Sequence, residues 1–359
     1  MTARRPSSAR LALPAVAGLV LLAACGGGQG GDGGTQAAAE CGEVSLRLTH
    51  QWPDTGGEEG DFRAVLAQRF ADQASEATDG QVTVEIFPNS SLVKATEQYD
   101  SMMQGGTDMS VFPLDYAAGR VPDFSVTLMP ALVRNHEEAQ AWHDSEIGER
   151  LVEVMDENGV RPLTHVWNAG AIGAKGDPIV RPGDVRPGST TRAAGSYVER
   201  MLESAGAGIT SLPSSEIYTA MQTGVLDSAV TSTGSFASFN LQEQVRSFTS
   251  PAQNTFWFMY EPLIISNRSF ERLCQEQQDA LIAVGEDLQE YAFSASEEDD
   301  ARVEQIFSEA GVEVVQMDDA AFEEWRELAR PQWEAYATSA PNGRELLDLA
   351  KQVSAGAAE

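Results

Sequence analysis

Hydrophobic positions recur along this chain with two different periods, one after the other. In residues 44–48 apolar and polar side chains alternate, which predicts a β-strand with one buried face. In residues 62–70 apolar side chains return every three or four positions, which predicts an amphipathic helix. Further strands are predicted at 81–87 and 109–112, with a helix around Tyr99 between them. This succession predicts an α/β fold, in which ligands collect at the carboxyl ends of parallel strands.

Residues 184–230 repeat the succession and contain the main candidate for binding chemistry. A short Ser/Thr-rich run ends at Arg192, and a helical pattern then extends to a glycine stop at Gly206. A second helix opens at Ser214, and Gly224 ends it before the next strand. Arg192 therefore ends a predicted strand, where its planar guanidinium can bind a carboxylate through two parallel hydrogen bonds. A surface arginine in an ordinary salt bridge is the alternative.

One internal repeat connects the two regions. The spacing Tyr-x2-Met-x2-Gly-x2-Asp-x2-Val occurs at residues 99–111 and again at 218–230. In each copy the glycine favours the left-handed conformation that ends a helix, and the aspartate favours the turn that follows. Two copies fit two lobes of similar build, although coincidence and generic helix-to-strand punctuation would give the same spacing. In neither interpretation are Asp108 and Asp227 catalytic.

Residues 211–230, with the sequence SLPSSEIYTAMQTGVLDSAV, resemble the central signature of a family of binding proteins. The family is the DctP-like solute-binding proteins of tripartite ATP-independent periplasmic (TRAP) transporters, and weaker similarity extends from about Val44 to Tyr336. The resemblance implies that the strand-end Arg192 grips the carboxylate of an organic acid. The matching positions are Arg192, Glu216, Tyr218, Ala220, Gln222, Gly224 and Asp227.

The resemblance also implies the fold class, an α/β protein of the two-lobed periplasmic-binding-protein type (class II-like). Its cleft lies between lobes that are joined by crossover strands and a long helix. Lobe 1 is expected to comprise residues 42–166 plus 258–295, and lobe 2 residues 167–257 plus 296–359. A strand predicted at 161–167 is the first expected crossover.

Chain order and the resemblance together imply a set of ligand-binding residues around the cleft. Trp52 follows the first strand and would lie at the cleft mouth, and the aromatic residues 256–260 precede the second crossover. Hinge packing is an equal alternative for that aromatic cluster. The complete expected set is Arg192, Trp52, Phe112, Trp167, Asn168, Ser214, Tyr218, Thr231, Thr233 and Trp257.

Three departures from the family pattern bear on the ligand. Many members carry a second arginine after Trp-x-x-Gly, whereas this chain has GAIG at residues 170–173. Residues 231–233 (TST) stand where the family has an asparagine, and Ser214 stands where an aromatic residue is frequent. These hydroxyls, together with the cleft aromatics, predict a monocarboxylate with an apolar or hydroxylated body rather than a dicarboxylate or sialic acid.

The charge of the chain excludes some partners. Its 359 residues carry 54 Asp+Glu against 24 Lys+Arg, a formal net charge of −30. Such a chain repels nucleic acid and anionic lipid headgroups. It also repels an anionic ligand at long range, so a site for an organic acid must be locally basic. We attribute the acidity itself to solubility.

Residues 1–24 have the composition of a bacterial lipoprotein signal peptide. Three arginines precede an apolar run at 11–24 that is too short for a permanent membrane span. The box LAAC at its end resembles a lipoprotein cleavage site, so Cys25 is expected to carry lipid and residues 25–41 to form a flexible tether. The expected location is extracytoplasmic, on the cell membrane. A plain secretory signal is the alternative.

The other cysteines and the histidines limit the chemistry further. Cys41 and Cys274 predict a disulfide in an oxidising compartment, with two free thiols as the alternative. His136 and His143 lie seven residues apart, which does not match the zinc-protease spacing, so we expect no metal. The sequence gives little support for a hydrolase triad, because the chain has 4 histidines and no Gly-x-Ser-x-Gly motif.

The expected function is therefore binding rather than catalysis, without a cofactor. A monomeric lipoprotein would close on a small carboxylate by hinge motion and present it to the integral membrane subunits of a TRAP transporter. A secreted enzyme using the same cleft and the ectodomain of a signalling system are the alternatives.

We predict that Cys25→Ser abolishes lipid modification, because the thiol of Cys25 is the expected acceptor. The variant should be released or left unprocessed. Metabolic labelling with a radioactive fatty acid measures this, and label on the variant would show that another residue is the anchor.

Overall fold

The computed structural model describes residues 41–54 and 60–356, which form an α/β fold with two separate β-sheets. The predicted signal peptide at 1–24, the predicted lipidation site Cys25 and the tether up to residue 40 lie outside the described residues. Within the described part of the chain, no helix combines the length and the apolar character that a membrane span needs.

The strands fall into two sheets of similar layout. The first sheet has the order β2–β1–β3–β11–β4, and the second has the order β12–β9–β5–β8–β6–β7, with β10 paired to β5. In the first, β1 lies between two parallel neighbours, β2 and β3, and in the second β6 lies between two parallel neighbours, β7 and β8. The strands are β1 (Val44–Thr49), β2 (Val82–Phe87), β3 (Met109–Val111), β4 (Val160–Thr164), β5 (Trp167–Ala174), β6 (Thr190–Ala193), β7 (Gly208–Ser211), β8 (Ser228–Ser232), β9 (Ser247–Ser250), β10 (Phe258–Tyr260), β11 (Leu263–Ser266) and β12 (Glu313–Gln316).

Helices cover both sheets, and their apolar faces form the cores. The apolar face predicted at 62–70 is buried, since Leu66 and Phe70 of the first helix share a core with Leu46 and Leu263 of the first sheet. The helices are α1 (Phe62–Ala77), α2 (Gln98–Gln104), α3 (His136–Ala141), α4 (Glu146–Glu157), α5 (Ser196–Ser204), α6 (Ile217–Gln222), α7 (Thr233–Ser238), α8 (Asn267–Phe270), α9 (Gln275–Asp287), α10 (Gln289–Glu309), α11 (Asp319–Ser339) and α12 (Gly343–Gly356).

The chain crosses between the sheets at residues 165–166 and returns at 261–262. The prediction of one strand at 161–167 is wrong. This segment contains the end of β4, which belongs to the first sheet, and the beginning of β5, which belongs to the second. On the return, β10 belongs to the second sheet and β11 to the first. The two crossings are adjacent, since the N–H of Glu261 donates to the carbonyl of Val166 at 2.8 Å.

Helix α10 also extends from one sheet to the other. Ala292, near its start, is buried in the core of the first sheet. Val303 and Phe307, near its end, are buried in a core of the second sheet. The two sheets, the two crossings and this 21-residue helix match the expected fold class.

Both copies of the sequence repeat form the same local structure. The glycine that ends each helix is left-handed, with φ of +77° in one copy and +80° in the other. The carboxylate of Asp108 accepts the N–H of Arg47 in β1 at 2.9 Å, and that of Asp227 accepts the N–H of Thr190 in β6 at 2.9 Å. Each aspartate thus fixes the parallel strand beside its own.

Cys41 and Cys274 form a disulfide in the structure, with Cα atoms 5.6 Å apart. Cys41 precedes β1, and Cys274 caps the start of α9. The bond therefore ties the beginning of the described chain to a helix that packs on the first sheet.

We predict that protein expressed without Cys25 and purified under oxidising conditions has no free thiol in denaturant. The bond closes a loop of 233 residues, so Cys41→Ala with Cys274→Ala should lower the free energy of unfolding by ~2–5 kcal/mol. Thiol titration and denaturant unfolding measure the two effects. Two reactive thiols in the unmodified protein would contradict the disulfide.

Candidate ligand-binding site

Arg192 is the next-to-last residue of β6, next to β8, and it is buried, with 1% of its surface exposed. Its Nε donates to the carbonyl of Leu212 (2.9 Å), Nη1 to the carbonyl of Val230 (2.8 Å) and Nη2 to the hydroxyl of Tyr116 (3.3 Å). The guanidinium is thus fixed by the loop after β7, by β8, and by the short helical turn Leu114–Ala117.

Arg192 has no ion pair within the described residues, because all three acceptors are neutral oxygens, and its charge acts only at longer range on Glu199 and Glu261. A guanidinium has five N–H groups, so one N–H on Nη1 and one on Nη2 make no hydrogen bond to the part of the chain that the structure describes. A buried charge is costly unless it is paired. A ligand carboxylate that accepts from both terminal nitrogens would supply the missing counter-charge.

Tyr116 connects Arg192 to two residues of the expected set. Its hydroxyl oxygen accepts from Arg192 and also from the backbone N–H of Ser214, at 3.4 Å. Because the oxygen accepts both bonds, the hydroxyl proton of Tyr116 remains able to donate. The ring of Phe112 meets the ring of Tyr116 edge to face, with centroids 6.3 Å apart.

A second buried guanidinium, Arg63, lies at the start of α1, and sequence analysis missed it. Asp61 accepts from its Nε at 2.8 Å and from its Nη2 at 2.6 Å, and Glu261 accepts from its Nη1 at 2.6 Å. The same Nη1 donates to the hydroxyl of Ser232 at 2.9 Å, and the guanidinium lies 4.0 Å from the ring centroid of Trp52. Arg63 therefore already has two counter-ions, which distinguishes it from Arg192.

The two carboxylates beside Arg63 respond to it differently. Burial alone would raise the pKa of Asp61, but the charge and hydrogen bonds of Arg63 outweigh burial and hold that pKa below its ordinary value. For Glu261 burial prevails, and its pKa is raised although Arg63 offsets part of the effect. Asn168 also donates to Glu261, at 2.6 Å, so the crossover at 261–262 is bonded to β5 and α1 together.

Both arginines are hydrogen-bonded to the carboxyl-terminal part of β8. Arg192 donates to the carbonyl of Val230, and Arg63 donates to the side chain of Ser232, two residues further on. Alternate residues of a strand are roughly 6.6 Å apart. The charge of Arg192 also acts to lower the pKa of Glu261. The strand end thus combines two cations, hydroxyl groups and aromatic rings.

The structure brings together part of the expected binding set. Phe112 and Ser214 contact the Tyr116–Arg192 pair, and Trp52 and Asn168 belong to the Arg63 group. Thr231 is buried in β8, between Val230 and Ser232 in the sequence. These placements rest on the contacts given above and on the burial of Thr231.

The other four residues of the set have different surroundings. Trp167 and Trp257 are buried in hydrophobic cores. Thr233 donates its hydroxyl to the carbonyl of Ala169 at 3.0 Å. Tyr218 lies apart and donates to Glu243 at 2.7 Å, because the buried face of α6 is formed by other residues, Ile217 and Met221.

Asp115 is a further buried carboxylate beside the site. Burial raises its pKa to about 7, and the charge of Glu199 adds to the effect. Its Oδ2 lies 3.5 Å from the position that a Cβ atom on Gly195 would occupy, at the start of α5. Among the residues that the structure describes, no cluster of three or more His, Cys, Asp or Glu side chains suits a metal ion.

Two β-sheets covered by helices and joined by paired crossovers are the architecture of a two-lobed binding protein of the periplasmic type. The chain belongs to the bacterial extracellular solute-binding protein family 7 (DctP), whose model matches residues 58–339. The resemblance found in the sequence is thereby confirmed.

Relatives match nearly the whole described chain. A solute-binding protein from Albidiferax ferrireducens is 38% identical over 309 residues, covering 86% of this chain and 91% of that protein. The 2,3-diketo-L-gulonate-binding periplasmic protein YiaO from Escherichia coli is 25% identical, covering 86% and 92%.

Solved structures confirm the fold class. A TRAP periplasmic solute-binding protein from Rhodoferax ferrireducens, with bound malonate, is 38% identical and superimposes with a TM-score of 0.84, covering 86% of this chain and 98% of that one. A TRAP protein from a Sulfitobacter species, with bound β-D-galacturonate, shares the fold at 23% identity, with a TM-score of 0.78 and coverage of 86% and 100%.

We predict that Asp115→Asn raises stability increasingly as the pH rises from 4 to 8. The pKa of Asp115 is about 7 in the folded protein against a reference of 3.8, so the folded state holds its proton more tightly, and this stabilisation is lost progressively as the pH rises from 3.8 to about 7. At pH 8 the variant should be more stable by ~2 kcal/mol or more.

Melting temperatures of both proteins between pH 4 and pH 8 measure this effect. Asp144→Asn is the matched control, because the side chain of Asp144 is 95% exposed, and it should leave the pH profile unchanged. Parallel profiles for Asp115→Asn and the unmodified protein would contradict the assignment.

Proposed function

We propose that this protein captures a small organic acid outside the cytoplasm and binds its carboxylate on Arg192. The observation that carries the proposal is the state of that side chain, which is buried and hydrogen-bonded only to neutral oxygens. Arg63 is less suited to the task, because Asp61 and Glu261 already neutralise it.

We further propose a monocarboxylate with an apolar or hydroxylated body as the ligand. One guanidinium that has no ion pair within the described residues suits one carboxylate, and the hydroxyls of Tyr116 and Thr231 suit polar groups on the rest of the ligand. Phe112 offers an apolar surface. The malonate bound to the Rhodoferax ferrireducens protein supports a small acid as the ligand class. Malonate is therefore the first dicarboxylate whose affinity should be compared with that of monocarboxylates.

We propose that closure occurs between the two expected lobes, with the return boundary at the crossing 261–262 rather than at 257/258, because β10 (Phe258–Tyr260) pairs with β5 of the second sheet. The crossings at 165–166 and 261–262 would then act as hinges. The sheet topology supports this division, since β4 and β11 belong to the first sheet and β5 and β10 to the second.

The remaining steps follow from membership of a transport family. We propose that the protein is a monomer held to the outer face of the cell membrane by lipid on Cys25. It would hand the acid, chemically unchanged, to the integral membrane subunits of a TRAP transporter.

We predict that Arg192→Ala weakens binding of the acid by ~3 kcal/mol or more, about a hundredfold, because the ligand carboxylate would be buried without a partner. Arg192→Lys should also bind poorly, since an ammonium group cannot form the two parallel hydrogen bonds. Titration calorimetry with malonate and a panel of monocarboxylates measures the affinity. Arg120→Ala, at an exposed arginine, is the control and should bind normally.

Stability must be measured beside affinity, because Arg192→Ala also removes the hydrogen bonds to Leu212 and Val230. We expect a loss of ~1–3 kcal/mol from the unpaired carbonyls. A folded Arg192→Ala protein that keeps its affinity would contradict the carboxylate site, and with it the organic-acid function.

A further inference from the structure

A cavity lies on the protein surface and is lined by neither Arg192 nor Arg63. Its volume is about 460 Å³, which falls in the usual range for sites of small molecules. The walls come from the segment 131–134, from α3, and from the last two helices, α11 and α12. The residues that contact Arg192 and Arg63 do not line this cavity.

Basic side chains predominate in the cavity, in contrast to the chain as a whole. Arg134, Arg326, Arg330 and Lys351 line it, against two carboxylates. The whole sequence has 54 Asp+Glu and 24 Lys+Arg, so the local balance is reversed. In a protein of this net charge, such a local reversal gives an anion a place to bind.

The two carboxylates in the walls leave much of this positive charge available. Glu138 accepts from the backbone N–H of Arg134 at 3.1 Å, and burial raises its pKa although the charges of Arg134 and Arg326 offset part of the effect. Glu334 is bonded to Arg344 at 2.7 Å, outside the cavity. Both carboxylates also act on cations of the cavity. Glu138 lies 3.9 Å from Arg134 and feels the charge of Arg326, and Glu334 feels the charge of Lys351.

The arginines of α11 have carboxylate partners that are readily exchanged. Arg326 pairs with Glu323 at 2.6 Å and Arg330 pairs with Glu327 at 3.1 Å, and all four side chains are partly exposed. Ion pairs of this kind contribute little to stability. In addition, Nε of Arg326 is shielded from solvent and makes no hydrogen bond within the described residues.

Aromatic rings give the same cavity an apolar side. The guanidinium groups of Arg134 and Arg326 lie 5.6 Å and 5.7 Å from the ring centroid of Phe322. Lys351 lies 5.6 Å from the ring of Trp333, whose own N–H is fixed by a 2.8 Å bond to the carbonyl of Pro130. Cations above ring faces leave the ring edges to contact an apolar ligand.

We propose that this cavity is a second binding site for a small organic anion in which a carboxylate is joined to a flat apolar body. The carboxylate binds to Arg326 and Arg330, and the apolar body packs on Phe322 and Trp333. The site goes beyond the proposed function, because it shares no residue with the Arg192 cleft.

The test uses 4-fluorobenzoate as the probe and fluorine NMR as the measurement, in the Arg192→Ala background so that the cleft does not contribute. Saturable binding should persist in that background and weaken as salt is added. Arg326→Gln with Arg330→Gln should weaken it on the order of tenfold or more. Lys351→Gln should weaken it less, and Arg120→Gln should have no effect. Melting curves establish that each variant is folded.

Three results would overturn the proposal. One is the absence of saturable binding in the Arg192→Ala protein. Another is unchanged affinity in both the folded double variant and Lys351→Gln. The third is equal displacement of the probe by benzyl alcohol, which would show an apolar groove without charge recognition. Binding at the Arg192 cleft is measured separately, so either site can fail without the other.

Discussion

The burial of Arg192 is the constraint on which the rest of the site depends. A guanidinium removed from water needs counter-charge or hydrogen bonds, and this one has only three neutral oxygens. Arg63 illustrates the alternative, because two carboxylates within 2.6 Å compensate it and make it part of the framework. The fold thus holds one cation that is internally satisfied and one that is suited to a ligand.

The repeated architecture explains where that second cation lies. Asp108 and Asp227 each bind the N–H of the neighbouring parallel strand, at Arg47 and Thr190. Thr49 lies two residues after Arg47 in the first sheet, and Arg192 lies two residues after Thr190 in the second. The two residues therefore occupy corresponding positions. The strand pairing agrees with this correspondence. Thr49 is paired with the residue two positions after Asp108, and Arg192 is paired with the residue two positions after Asp227. The two halves therefore share the same backbone arrangement at this position, where the first has Thr49 and the second has Arg192.

Local pattern was sufficient to predict the alternation of strands and helices, the glycine helix ends and the position of Arg192 at a strand end. These features depend on periodicity and on backbone preferences within a few residues. Tyr116, Arg63 and Glu261 were missed because they reach the site from segments far apart in sequence. One signal was available, since Glu261 is the single charged residue in the apolar run 256–265. Tyr218 was included because it matches the family motif, but a motif does not specify which face of a short helix is buried.

The account is tested most directly by a crystal structure of the protein with its co-purified acid. It predicts a ligand carboxylate with one oxygen about 2.7–2.9 Å from Nη1 of Arg192 and the other at a similar distance from Nη2. The existing bonds to Leu212, Val230 and Tyr116 should remain. A ligand in the cleft whose carboxylate lies away from Arg192, or a protein carboxylate paired with Arg192 in its place, would contradict it.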